Sequence, residues 1–317
     1  MTEMDRKSYI GGSDVAAILG VSPWKSQFQL YQEKIGEFQE EITPAKQKLF
    51  DRGKRWEPVV IDMLVDELQS LGHDVHILDR NKRYKDPVHD FIAAEIDLEL
   101  IVDGEEFNGE MKTVHPFAAK DWGDENTDEI PVYYTAQCLH GQMVVGRNRT
   151  IVAALIGADD LRVHFVDRDE EMIRIMRQKE IEFWARVKNR DAPEPTTADD
   201  IKHLFTKDSG SAVEANSEII GAIEEIKTLK STQKNIDVEL ETLIIQVKKY
   251  MGDSAYLFAG RDQLCSWKNN KEGKRTDWKS AFYDLVGKST GIGKTDIDQI
   301  VKAATKATPG SRVFRLK

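Results

Sequence analysis

Residues 95–112 read Glu95-Ile96-Asp97-Leu98-Glu99-Leu100-Ile101-Val102-Asp103-Gly104-Glu105-Glu106-Phe107-Asn108-Gly109-Glu110-Met111-Lys112. Two alternating stretches meet at Asp103-Gly104, and Asp-Gly is the strongest short-range signal for a hairpin turn. With those two residues as the loop, Val102 pairs with Glu105, Leu100 with Phe107 and Asp97 with Glu110. Side chains alternate between the two faces of a strand. One face then holds Ile96, Leu98, Leu100, Val102, Phe107 and Met111, an apolar set that belongs on a core. The other holds Asp97, Glu99, Asn108, Glu110 and Lys112, a wet face on which two carboxylates oppose each other beside a lysine. Any half-buried hairpin in an acid-rich chain has a polar face, so the meaning of this cluster depends on its neighbours.

The chain has 317 residues, enough for one large domain or a domain with an appendage. With 40% hydrophobic and 32% charged residues, its composition is that of an ordinary globular protein. No apolar run reaches the length of a membrane span, and Met1-Thr2-Glu3-Met4-Asp5 lacks the apolar segment of a signal peptide. Cys138 and Cys265 are the only cysteines. Two cannot build a disulfide framework, a four-cysteine zinc site or a cysteine-ligated iron–sulfur cluster, so a reducing, cytoplasmic setting is expected. The net charge of −10 is unevenly spread: residues 1–200 hold 25 Lys+Arg against 40 Asp+Glu, and residues 201–317 hold 20 against 15. A basic C-terminal third permits local phosphate binding. The acids of the first part repel DNA except where metal or basic residues neutralise them.

Upstream of the hairpin, Arg6 precedes Ile10-Gly11-Gly12-Ser13-Asp14. Gly11-Gly12 reads as a flexible turn, with Ser13 or Asp14 capping a short helix that Gly20 ends. Ser22-Pro23-Trp24 opens a second helix over about 26–35. A third covers about 45–70, with a kink or restart expected at Pro58. Glu57 sits at that break, among Arg52, Lys54 and Arg55. A short strand over 75–79 and a charged loop over 80–90 lead into the hairpin. Downstream, residues 132–145 read as a helix carrying Gln137 and His140, and His140 has no partner residue that the sequence reveals. Strands over 150–157 and 161–166 and an amphipathic helix over about 168–188 follow. Residues 191–213 read as a linker. A long helix over about 217–251 places apolar residues at steps of three and four, except around Thr232–Lys234, which suits a coiled coil or a helical hairpin. The tail, 252–317, interleaves aromatics with basic residues, among them Trp267, Lys271, Lys274, Arg275 and Arg312, a composition suited to DNA backbone contact and base stacking.

The order is a helix bearing Glu57, a hairpin bearing Asp97 and Glu110-Met111-Lys112, a helix bearing Gln137, then two strands and a helix. This resembles the PD-(D/E)XK nuclease core, although Ile96 stands where the name has proline. Further stretches look like one branch, the YqaJ-type viral recombinases related to lambda exonuclease. These are Arg6 through Ile10-Gly11-Gly12-Ser13-Asp14 to Gly20, Ser22-Pro23-Trp24, Arg52-Gly53 through Glu57, and Tyr134-Thr135-Ala136-Gln137. Their joint occurrence in order is far more specific than any single piece. The long helix and basic tail also look like extensions on longer members of that branch.

The resemblance implies an α/β (α+β) restriction-endonuclease-like core, with a mixed central sheet flanked by helices, over residues 1–190. A linker (191–213), a long helix (214–251) and a small basic module (252–317) would follow. It implies Mg²⁺, with Mn²⁺ substituting, held by Asp97, Glu110, the backbone carbonyl of Met111 and Glu57, since hard cations take oxygen ligands. Lys112 would position water or stabilise charge, Gln137 would orient Lys112, and Arg6, Ser13 and Asp14 match positions for a terminal 5′-phosphate. The implied activity is a 5′→3′ exonuclease on double-stranded DNA ends that exposes a 3′ strand for a phage-type annealing protein, inside a bacterial host. Members form a toroidal trimer, so a homo-oligomer is expected. An endonuclease or single-strand or branched-DNA nuclease with the same site, and a non-catalytic DNA-end adaptor, are the alternatives.

Overall fold

The computed structural model describes residues 5–38, 42–124 and 126–269, together with residues 278, 282, 283, 299 and 302. The chain divides into two compact units, Met1–Leu204 and Phe205–Lys317. The first begins with α1 (Gly12–Ile18), α2 (Gln27–Ile35) and α3 (Pro44–Ser70). Strands β1 (Val75–Lys85), β2 (Ala93–Val102) and β3 (Glu105–Val114) come next, then α4 (Val132–Val145), β4 (Arg149–Ile156), β5 (Asp160–Asp167), α5 (Glu170–Asn189) and α6 (Ala198–Leu204). The five strands form one sheet in sequence order. All neighbours are antiparallel except β3 and β4, which α4 connects as a parallel crossover. The result is the mixed, helix-flanked sheet that the sequence implied.

The hairpin turns at Asp103-Gly104, both in the left-handed region at φ 51° and 88°. That is the conformation an Asp-Gly two-residue loop favours, because its twist matches the flanking strands. The register is the expected one from Val102 with Glu105 through Leu100 with Phe107 to Leu98 with Gly109. There the ladder stops. Asp97 and Glu110 lie one step past the last pair, where β3 continues along β4 alone.

The expected faces need two corrections. Leu98, Leu100, Val102, Phe107 and Met111 do pack together, against Val60, Ile61, Leu64 and Leu68 of α3. Ile96 does not join them and packs in the other core layer with Val15, Leu139 and Phe183. The buried side chains of β2 therefore change layer around Asp97. Nor is the second face wet: Glu99, Asn108 and Glu110 are only 1%, 2% and 6% exposed, with Gln137 and Gly141 of α4 over Glu110 and Asn108 and with Tyr84, Lys82 and Arg147 on Glu99.

Three element boundaries also differ from expectation. The 75–79 strand extends to Lys85, with a bulge between Ile77 and Asp79. Its charges at Arg80, Lys82, Arg83 and Lys85 mark a solvent-facing edge strand rather than a loop. Pro58 sits inside a continuous α3. It removes the donor for the Lys54 carbonyl, but both residues are exposed and water can serve that oxygen. The 191–213 stretch is not wholly a linker, since it contains α6. Asp200 is fully buried there, accepting from Ser26 Oγ at 2.7 Å and from the amides of Thr196 and Thr197 at 2.9 Å.

In the second unit, α7 (Ser217–Met251) is one uninterrupted helix, so the helical-hairpin reading fails. It is followed by a two-stranded hairpin, β6 (Tyr256–Ala259) and β7 (Asp262–Ser266). Lys271, Lys274, Arg275 and Arg312–Lys317 of the basic tail lie outside the described residues.

Candidate active site

Lys112, on β3, points toward α4 beside Glu110. Its ammonium donates to Glu110 Oε1 and, at 3.3 Å, to Gln137 Oε1. Gln137 Nε2 donates to the same Glu110 oxygen at 2.5 Å. The three side chains thus close a ring of hydrogen bonds between strand and helix. One turn back on α4, the Tyr134 ring lies 4.7 Å below the Lys112 ammonium, a cation–π contact. Burial alone would lower the Lys112 pKa, but Glu110 and Asp97 outweigh it and hold the ammonium above its ordinary value.

Asp97 stands where β2 leaves β3. Its Oδ2 accepts the Met111 amide at 3.0 Å. Burial, and next the charge of Glu110, push the Asp97 carboxyl up to about 8. Two carboxylates share a buried spot with one lysine, and the spot is short of positive charge. That donor set fits a hard divalent cation: Asp97 and Glu110 offer anionic oxygens, and the Met111 carbonyl lies on the same strand. Glu57 is placed differently from these. Its Oε1 accepts from Asn81 Nδ2 at 2.9 Å, and Asn81 adopts a left-handed φ of 52° on β1. Glu57 does add to the negative field at Asp97. Among the described residues no three His, Cys, Asp or Glu side chains converge at metal-binding spacing. Glu99, the other acid of that face, is taken up by Tyr84, Lys82 and Arg147.

The Gly-Gly turn brings Arg6 and Ser13 to this place. A side chain on Gly12 would meet Gln137 Cγ at 3.1 Å, and one on Gly11 would meet Arg6 Nη1 at 2.5 Å. The glycines therefore serve close approach rather than turn flexibility. Asp14 is the third residue of α1, and its carboxylate caps the helix by accepting the Gly11 amide at 3.0 Å. Arg6 Nη2 donates to Ser13 Oγ and to Asp14 Oδ1, both at 2.9 Å. Lys34, buried on α2, donates to Asp14 Oδ2 at 2.8 Å and to the carbonyls of Arg6 and Tyr9. Burial would raise the Asp14 carboxyl, but Lys34 and Arg6 outweigh it and keep it ionised below its ordinary value. Asp14, 3% exposed, anchors Arg6, whose side chain stays 53% exposed.

Both clusters line one cleft of about 350 Å³, with Arg6 and Ser13 together with Asp97, Glu110 and Gln137 on its walls. His140 also reaches it, and the structure supplies the partner that the sequence hid. Its Nδ1 faces Glu180 Oε1 of α5 at 2.8 Å, and its Nε2 donates to the Ala93 carbonyl at 2.9 Å. Burial would lower the His140 pKa, but the Glu180 charge outweighs it and favours the imidazolium. The sequence marks neither Lys34 nor Asn81, and it marks Tyr134 only as the start of the stretch that ends at Gln137. Tyr134 lies three residues before Gln137 on the same helical face, and Lys34 lies on the apolar side of α2 with Leu30 and Tyr31. Both spacings were readable signals. Asn81 left none.

A helix bearing Glu57, then Asp97 and Glu110-x-Lys112 on adjoining strands, then a crossover helix bearing Gln137, stand in the order that the resemblance to the PD-(D/E)XK core implied. Residues 3–148 match the family described as the YqaJ-like viral recombinase domain. The protein is similar to "Uncharacterized protein YqaJ" of Bacillus subtilis (strain 168), at 28% identity over 312 residues, 94% of this chain and 93% of the relative. That likeness runs through the second unit as well. Among solved structures, an alkaline exonuclease (LHK-Exo) from Laribacter hongkongensis aligns with a TM-score of 0.42 at 16% identity, over 59% of this chain and 91% of that one. A phage-related exonuclease from Haemophilus somnus 129PT aligns with a TM-score of 0.41 at 12% identity, over 57% and 94%. No helix among the described residues is long and apolar enough to cross a membrane.

Proposed function

We propose that this protein is a Mg²⁺-dependent 5′→3′ exonuclease acting on double-stranded DNA ends, with Mn²⁺ able to replace Mg²⁺. The observation that carries the reading is the single cleft. An exposed guanidinium beside a hydroxyl lines it together with the paired carboxylates Asp97 and Glu110, and Lys112 is bonded to Glu110 behind that wall. Arg6 and Ser13 suit a terminal phosphate: a charge-assisted donor and a hydroxyl, with Asp14 and Lys34 fixing the guanidinium from behind. Asp97, Glu110 and the Met111 carbonyl would hold the cation, with Glu57 joining on release from Asn81. When bound, Mg²⁺ supplies Lewis-acid polarisation of the scissile phosphate.

Lys112 supplies a fixed positive charge next to the attacked phosphorus and orients the incoming water. Gln137 keeps both Lys112 and Glu110 from swinging away. Tyr134 supports the ammonium from below without removing its charge. Digestion from a 5′ end would leave a 3′ single strand for a phage-type annealing protein in a bacterial host cell. The family's toroidal trimer is the assembly proposed for the nuclease unit.

The test is incubation with Mg²⁺ of a linear duplex and of the same duplex as a covalently closed circle. The linear form should be consumed and the circle should survive. Cutting of the circle would make the protein an endonuclease. Binding of linear ends without digestion would make it an adaptor.

A further inference from the structure

Helix α7 runs 35 residues without a break, a rod of about 52 Å. Ile219, Leu229, Ile236, Leu240, Leu243, Val247 and Tyr250 are each at least 40% exposed. With Ile223, Ile226 and Gln233 they advance by threes and fours, the spacing of a seam that another helix covers. The seam has an internal symmetry: its steps on either side of Ile236 nearly mirror each other. If a second α7 is laid antiparallel about a two-fold axis at Ile236, seam residue meets seam residue throughout. Ile236 meets its own copy, Gln233 meets Leu240, Leu229 meets Leu243, Ile226 meets Val247, and Ile223 meets Tyr250.

The charges obey the same symmetry. Along the helix they form four bands: Glu218, Glu224 and Glu225; Lys227, Lys230 and Lys234; Asp237, Glu239 and Glu241; Lys248 and Lys249. In the antiparallel pairing Glu224 and Glu225 lie beside Lys248 and Lys249. Lys230 lies beside Glu241, and Lys234 lies beside Asp237 and Glu239. No like charges oppose each other, and the two-fold axis repeats every contact. A parallel pair in register lays each band against its own copy. Near the C-terminal end, Leu243, Val247, Met251 and Trp267 border a groove of about 300 Å³ between α7 and β7. Ile226 of the second helix would lodge there. Gln233 against Leu240 is the one mixed layer, and a polar seam residue fixes register at some cost in stability.

We propose that α7 is an antiparallel pairing helix whose partner is α7 of a second copy of this chain. The pairing joins two nuclease-bearing chains through their second units. It goes beyond the nuclease reading and does not depend on it.

Disulfide trapping in the full-length chain tests it, with Cys265→Ser as background. Leu229→Cys and Leu243→Cys are introduced into separate chains and mixed. Oxidation should join the two introduced thiols across the mixture and give no disulfide in either chain alone. Disulfides within each separate preparation would mean a parallel pair, and absence of any cross-link would mean another occupant; either overturns the proposal. Both positions are on the exposed helix surface, and a charge exchange gives an independent check. Lys230→Glu should slow trapping about tenfold by placing like charges at both symmetric contacts. Adding Glu241→Lys should restore the rate. A double variant as slow as the single one would overturn the register.

Discussion

Replacing Asp14 with Asn tests whether the N-terminal cluster is held by charge. Asp14 accepts from Arg6, Lys34 and the Gly11 amide, and its side chain is 5% exposed. The Lys34 side chain is 3% exposed. Asn keeps the shape but removes the negative charge, leaving a buried ammonium among neutral acceptors, the carbonyls of Arg6 and Tyr9, without its anionic partner. Uncompensating a buried charge typically costs 3–5 kcal/mol, and the retained carbonyl contacts put this case at about 3 kcal/mol. The assay is urea unfolding at neutral pH. The wild-type contribution should be complete above the ordinary carboxyl value of 3.8. It should fade as pH falls through the lower folded value, because protonation then removes the same charge. A second readout is cleavage of 5′-phosphorylated against 5′-hydroxyl duplex ends, where the preference should weaken as Arg6 loses its anchor. A stability loss below about 1 kcal/mol, with the end preference unchanged, would refute the idea that Asp14 organises this cluster.

Lys112→Ala should reduce cleavage by roughly a thousandfold while leaving DNA-end binding nearly intact by gel shift; loss of folding instead would make Lys112 a structural residue. Gln137→Ala removes the bridge between Glu110 and Lys112 and should lower kcat by roughly tenfold to a hundredfold with an unchanged melting temperature. A change in KM alone would point to a substrate contact. The raised His140 pKa gives stability that is fully present below its ordinary value of 6.5 and lost as pH rises through the folded value. His140→Gln should therefore flatten the alkaline limb of the stability–pH curve, and an unaltered limb would assign that limb to another group.

Much of this site was legible because turn chemistry is local. Asp103-Gly104 dictates its own left-handed geometry, and that geometry set the register that places Asp97 near Glu110 and Lys112. The spacing Glu110-x-Lys112 puts both side chains on one face wherever β3 stays regular. What local pattern did not contain was the layer change at Asp97. It arises where β2 parts from β3, and it sends Ile96 to the opposite core from Leu98. The charged run of β1 looked like a loop because an edge strand and a loop carry the same solvent-facing residues. Long-range polar partners were equally invisible. Glu180 lies forty residues from His140, and Asp200 lies 174 residues from Ser26. Only the fold brings such pairs together, and burial then makes their hydrogen bonds obligatory.

The central claim is that Asp97, Glu110 and Lys112 cut DNA from an end gripped by Arg6 and Ser13. A time course with Mg²⁺ on linear duplex labelled separately at the 5′ and 3′ ends tests it most directly, with Lys112→Ala and a chelator as controls. The 5′ label should be released early and the 3′ label late, with no release in either control. Early 3′ release, or 5′ release that survives Lys112→Ala, would contradict it.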